Sequence, residues 1–145
     1  MYFIDRSRIE QLLKYIDQLL LEFDHDSFDS TLEKLSLERM VQMLIESTLD
    51  VGNMMIDGFI MRDPGSYEDI IDILIDEKVL PEQDSEGYKE IIRLRNAVVR
   101  DYLTIDHTVL QKTIQSNREI VDQFSTHITT YLNNELGVAH AFSNE

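Results

Sequence analysis

Apolar side chains recur at three- and four-residue steps along most of the chain, and only two prolines, Pro64 and Pro81, stand in their way. That period belongs to the α-helix, which turns one face back to the core every three or four residues. No stretch alternates apolar and polar residues long enough to make a strand. The five glycines are scattered, and no internal repeat or low-complexity tract occurs. The chain is therefore expected to be all-helical.

Ile9, Leu12, Leu13, Ile16, Leu19 and Leu20 form one stripe, predicting a helix from Asp5 to Phe23, followed by a polar loop over His25 to Ser30. Leu37, Val41, Leu44, Thr48, Val51, Met55 and Phe59 predict a second from Leu32 to Met61. Arg62-Asp-Pro-Gly-Ser stops it, because neither proline nor glycine propagates a helix. Ser66 with Asp69 three residues on resembles a capping box, opening a short third helix through Ile70, Ile71, Leu74 and Ile75. A fourth is expected from Pro81 or Asp84 to Tyr102, and a fifth from the cap Asp106 to near Gly137, leaving a loose tail over Val138 to Glu145. Four long helices and one short one predict an up-and-down bundle.

At 145 residues the chain has the length of one ordinary domain, enough to bury about 68–70% of its unfolded surface. With no cysteine, disulfides and thiolate sites are excluded. The Met1–Arg6 start leads into no signal-like apolar run, and Val51 to Met61, broken by Asn53, Asp57 and Gly58, falls short of a membrane span. A cytoplasmic protein without membrane contact is expected. The formal charge of −15 repels polyanions at long range, which argues against DNA and non-specific nucleic-acid binding. As a surface property it suits a soluble, bacterial-type protein.

Much chemistry has no support. Di-iron bundles need Glu-x-x-His on two helices, and His25, His107, His127 and His140 supply that spacing only once, at Glu22–His25. No metal site is expected, and no cofactor, since phosphate-cradling glycine loops are absent. Nor is there a Gly-x-Ser-x-Gly nucleophile motif. The six methionines fall at packing positions.

One segment stands apart: Ile91-Ile-Arg-Leu-Arg-Asn-Ala-Val-Val-Arg-Asp-Tyr102. On a helix, Ile91, Leu94 and Val98 share one side, while Arg95, Val99 and Tyr102 form a neighbouring stripe. Asn96 and Arg100 are one turn apart, and Arg93 and Arg100 two. Three arginines on one short rod of a very acidic chain offer an anion-binding surface. Equally, they are what a set of salt bridges to nearby acids would require.

Arg95-Asn96-x-x-Val99-x-x-Tyr102 resembles the Arg-Asn-x-x-Val-His-x-Tyr motif of HepT-like toxins in the HEPN superfamily. The likeness extends through Leu37 to Ile56, Ser66 to Leu74 and Val79-Leu80, and covers roughly residues 5 to 135. It implies a homodimer whose motif helices face each other and build a metal-independent RNA-cleaving site. In that picture histidine moves the proton as the ribose 2′-hydroxyl attacks phosphate, and arginine stabilises the developing charge. Arg95 matches the arginine and Asn96 the polar residue beside it. Tyr102 matches the tyrosine that a nucleotidyltransferase antitoxin modifies with AMP.

The departure is Arg100, which stands where the family has histidine. A guanidinium stays protonated near neutrality and cannot serve as the base, and losing a general acid or base costs about 10²–10⁴ in rate. Arg100 retains the ability to bind phosphate with its planar fork of donors. Ribonuclease activity is therefore expected to be weak or absent. His107, six residues beyond Arg100, fits a looser Arg-x(4–6)-His spacing but falls at the start of the next helix. Three readings follow. The first is a non-catalytic or feebly active homodimer that binds RNA, a nucleotide or a protein through Arg93, Arg95, Asn96, Arg100 and Tyr102. The others are a working ribonuclease toxin and a structural dimer whose arginines only pair with acids.

Overall fold

A computed structural model of the chain describes residues 4–143, with the backbone alone for 137–143. Helix α1 (Arg6–Asp24) starts at Asp5, whose carboxylate accepts from the amide of Arg8 at 3.0 Å. Helix α2 (Thr31–Gly58) starts on a full capping box: Ser30 Oγ accepts from the Glu33 amide, and the Glu33 carboxylate accepts from the Ser30 amide. Helix α3 (Tyr67–Asp76) follows, then a 3₁₀ turn over Glu82–Asp84 and helices α4 (Ser85–Arg93) and α5 (Arg95–Val99). Helices α6 (His107–Ser116), α7 (Arg118–Asp122) and α8 (Phe124–Ser143) complete the bundle. The described residues contain no strand, and none of their helices is long and apolar enough to cross a membrane.

The expected stripes are the core. Ile9, Leu13, Ile16 and Leu20 of α1 are buried, as are Leu37, Val41, Leu44, Thr48, Val51 and Met55 of α2. Each large apolar side chain withdrawn from water contributes about 1.5–3 kcal/mol before chain entropy is counted. Helix α2 is the central rod, packing against α1, α3, α5 and α6. Its crossing with α3 is close at Gly52, where an added Cβ would stand 2.5 Å from the γ2 methyl of Ile70. A branched side chain leaves that methyl little freedom to yield, so glycine sets the approach of the two helices.

Several boundaries differ from the sequence expectation, each for a local reason. Helix α2 ends at Gly58, not Met61, because Ile60 turns to φ 56° and the Met61 amide returns to the carbonyl of Ile56 at 2.9 Å. This is a Schellman ending on a branched residue where glycine is usual. The fourth rod is tightened at Leu94, whose amide bonds three residues back to Ile91, and it closes at Val99 instead of reaching Tyr102. The expected fifth helix is three segments. At its first break the Nδ2 of buried Asn117 donates to the Thr113 carbonyl at 2.9 Å, drawing a polar side chain into the backbone ladder. At the far end α8 runs on to Ser143, so Val138 to Ser143 are helical where a loose tail was expected; residues 144–145 lie outside the described residues.

Candidate functional site

The motif arginines meet at the junction of α3, α4 and α5. Ser66, Tyr67, Arg93, Arg95, Asn96 and Arg100 line one open cleft of about 300 Å³, with Ile92 at its floor. The floor follows from the apolar side of the rod: Ile91, Leu94 and Val98 are all buried, which turns Arg95, Asn96 and Arg100 away from the core.

The three arginines are held differently. Arg95, about one-quarter exposed, donates from Nε to Glu46 Oε1 of α2 at 2.7 Å. Its guanidinium carbon lies 4.6 Å from the ring centroid of Tyr67, a cation–π distance. The hydrogen bond to Glu46 raises the Arg95 pKa further, so it is a fixed cation. Arg93 bridges Glu86 at 2.6 Å and Glu68 at 2.9 Å, and both bonds raise its pKa. Arg100 is exposed and makes no ion pair or side-chain hydrogen bond among the described residues. Salt-bridging thus accounts for Arg93 and Arg95 and leaves Arg100 over. Glu68 and Glu86 pair with Arg93 and Glu46 with Arg95, so that with unpaired Arg100 three carboxylates and three guanidiniums sum to no net formal charge around the cleft of a strongly acidic molecule.

The wall opposite the motif is anchored from its own loop. Ser66 Oγ accepts from the Asp69 amide at 3.0 Å, the cap half of the expected box. The Asp69 carboxylate does not return to Ser66; it takes both Nη atoms of Arg62, at 2.7 and 2.8 Å, and the Gly65 amide at 2.8 Å. These donors, Arg62 first, hold the Asp69 carboxyl down at about 2. The clamp fixes the 62–66 loop and with it the position of Tyr67 at the first turn of α3.

Two expected members stand elsewhere. Tyr102 does not continue the Arg95–Val99 stripe. The amides of Arg100 and Asp101 both return to the Asn96 carbonyl, at 3.0 and 2.9 Å, ending α5, and Tyr102 lies beyond it with 62% of its surface exposed. His107 opens α6, capped by Asp106, with Nε2 2.7 Å from Glu38 Oε2, and it does not line the cleft. Among the described residues no three His, Cys, Asp or Glu side chains gather where an ion could be held. Sequence reasoning missed Glu46 and Tyr67. Glu46 lies 49 residues before its partner with no local motif around it, and Tyr67 read only as the residue after a cap.

The all-α bundle that carries the cleft is that of a known class. The family model described as "Ribonuclease HepT-like" matches residues 9–128, and the chain belongs to that family. It is 45% identical over 143 residues to "Putative RNase YutE" of Bacillus subtilis (strain 168), spanning 98% of this chain and 99% of the relative. A solved structure of YutE, described as a cytosolic protein of unknown function from Bacillus subtilis, superposes with a TM-score of 0.92 at 45% identity. It covers 94% of this chain and 96% of its own. A crystal structure of a toxin-antitoxin with AMP-PNP shares the fold at TM-score 0.73 and 18% identity, over 86% of this chain and 96% of that one.

Proposed function

We propose that the protein is an RNA-binding HepT-like homodimer with little or no cleavage activity of its own. The observation that carries this reading is the composition of the cleft. Arg95, Asn96 and Arg100 converge there, and the position where the family motif has its proton-transferring histidine holds a guanidinium. Anion recognition survives that exchange, whereas general base catalysis does not. His107 offers no replacement, since it is bonded to Glu38 outside the cleft. Self-association is supported by exposed Leu32, Leu35, Leu103 and Val109, near the two segments that the Glu38–His107 bond joins. A sedimentation experiment that finds only monomer at micromolar concentration would remove the dimer from this proposal.

The activity test is cleavage of a labelled mixed-sequence RNA in EDTA by wild type, Arg95→Ala and Arg100→His. An inert wild type with activity gained in Arg100→His supports a disarmed scaffold. Cleavage by wild type, lost in Arg95→Ala, overturns it in favour of a second reading: an active toxin paired with a nucleotidyltransferase antitoxin. That reading draws on Tyr102, which lies exposed just beyond α5 where a modifying enzyme can reach it. It requires growth arrest on overexpression and an AMP adduct on Tyr102 by mass spectrometry.

A further inference from the structure

Tyr67 carries a guanidinium over its ring and keeps about half of its surface exposed. The Arg95 guanidinium lies 4.6 Å from its ring centroid, and Glu46 accepts from the Nε of that guanidinium at 2.7 Å. The residue itself is 49% exposed, and no second ring stacks on it among the described residues. Its backbone is fixed on both sides, by the Ser66 cap and by the Asp69–Arg62 clamp. A large aromatic surface is thus held rigid at the edge of a cleft without being used by the core.

We infer that the exposed surface of Tyr67 is a stacking platform for an unpaired base, with the adjoining phosphate carried by Arg100 and Asn96. The inference rests on the RNA reading above and adds to it the form of RNA that binds. Unpaired bases stack on aromatic side chains regardless of sequence, whereas bases in a duplex are already stacked on one another. A cleft of about 300 Å³ is at the small end of ligand sites, room for one splayed nucleotide and not for a paired stretch. The order Glu46, Arg95, Tyr67, base explains why Arg95 is held so firmly: it braces the ring that receives the ligand. Single-stranded RNA is accordingly the ligand that such a platform fits.

The test is fluorescence anisotropy in EDTA at low salt with a labelled RNA pentanucleotide and the same strand carrying one abasic ribose at its centre. In wild type, removing the base is expected to weaken binding about tenfold, the scale of one base–aromatic stack. Tyr67→Phe keeps that difference. Tyr67→Ala and Tyr67→Leu abolish the difference between the two strands, and the leucine variant preserves an apolar residue should alanine disturb the fold. If base removal costs wild type and Tyr67→Leu equally while Arg100→Ala weakens both strands, the platform is wrong and the RNA reading stands. If neither strand binds wild type, or Arg100→Ala changes nothing, the RNA reading falls and the platform with it.

Discussion

Glu46 and Asp69 do the quiet positioning at the cleft, and each can be tested separately. Glu46 brings a negative charge to within 2.7 Å of the motif arginine, which orients it and also offsets its pull on an anion. Glu46→Gln is expected to lower stability by about 1 kcal/mol or less, as partly exposed ion pairs do. It should also tighten binding of a short RNA at low salt; thermal melts and anisotropy on the same samples check both. Looser binding would mean that Arg95 needs its brace more than the cleft needs the charge. Asp69 carries a pH signature. Its carboxyl, ordinarily at 3.8, is depressed to about 2 by Arg62 and the Gly65 amide, so its contribution is complete above about pH 4 and is lost as the pH falls toward 2. Asp69→Asn should therefore melt lower than wild type at pH 7, with the difference narrowing as the pH falls from 4 toward 2. A constant gap across that range would show that the clamp acts through shape and not charge.

At the scale of elements, periodicity revealed which residues are buried and where the rods run, because a stripe survives small errors at its ends. It did not reveal where the rods break. The tightening at Leu94 has no proline or glycine to announce it, and the break at Asn117 depends on a side chain returning to Thr113 while also reaching Glu90 on α4. The second involves a neighbour distant in sequence. The cost to the site reading was specific: Tyr102 was placed on a helical stripe that closes before reaching it. Another ending is legible only in backbone angles. Ile60 sits at φ 56° with 73% of its surface exposed, a conformation costing a branched residue about 1–2 kcal/mol. Ile60→Gly relieves that strain and loses little packing, though glycine's freer unfolded chain takes some of the gain back. A rise of about 3 °C in Tm is expected, near 1 kcal/mol for a chain of this size, and calorimetry showing a fall would mean that Ile60 makes contacts in an assembled dimer.

Across the whole molecule, charge decides what kind of RNA binding is possible. A formal −15 opposes long-range attraction, so affinity must come from short-range contacts in a locally neutral cleft. Single-stranded binding changes by about −0.7 in log affinity per log salt for each phosphate neutralised. A strand held by one Arg100 is expected to show a slope of about −0.7, and one spanning two protomers and held by both a slope of about −1.4. A titration from 50 to 300 mM salt measures it, and a slope several times steeper would place the interface on some other basic surface. The bundle, the acidity and the motif were all legible from residues alone. Salt-bridging of the arginines was open to the same reading, but not which carboxylates would do it, since Glu46 and Glu68 come from α2 and α3.

The way α5 ends has a consequence for how such a protein changes over generations. Two amides share the Asn96 carbonyl, so backbone groups close the helix, and the Arg100 side chain hangs past the end without a partner among the described residues. Nothing in the packing selects what stands there. Two of the six arginine codons differ from a histidine codon by a single base, so one mutation can exchange a guanidinium for an imidazole in the cleft without asking the bundle to repack. Such an exchange alters the chemistry offered to a ligand and leaves the fold to the buried residues behind it.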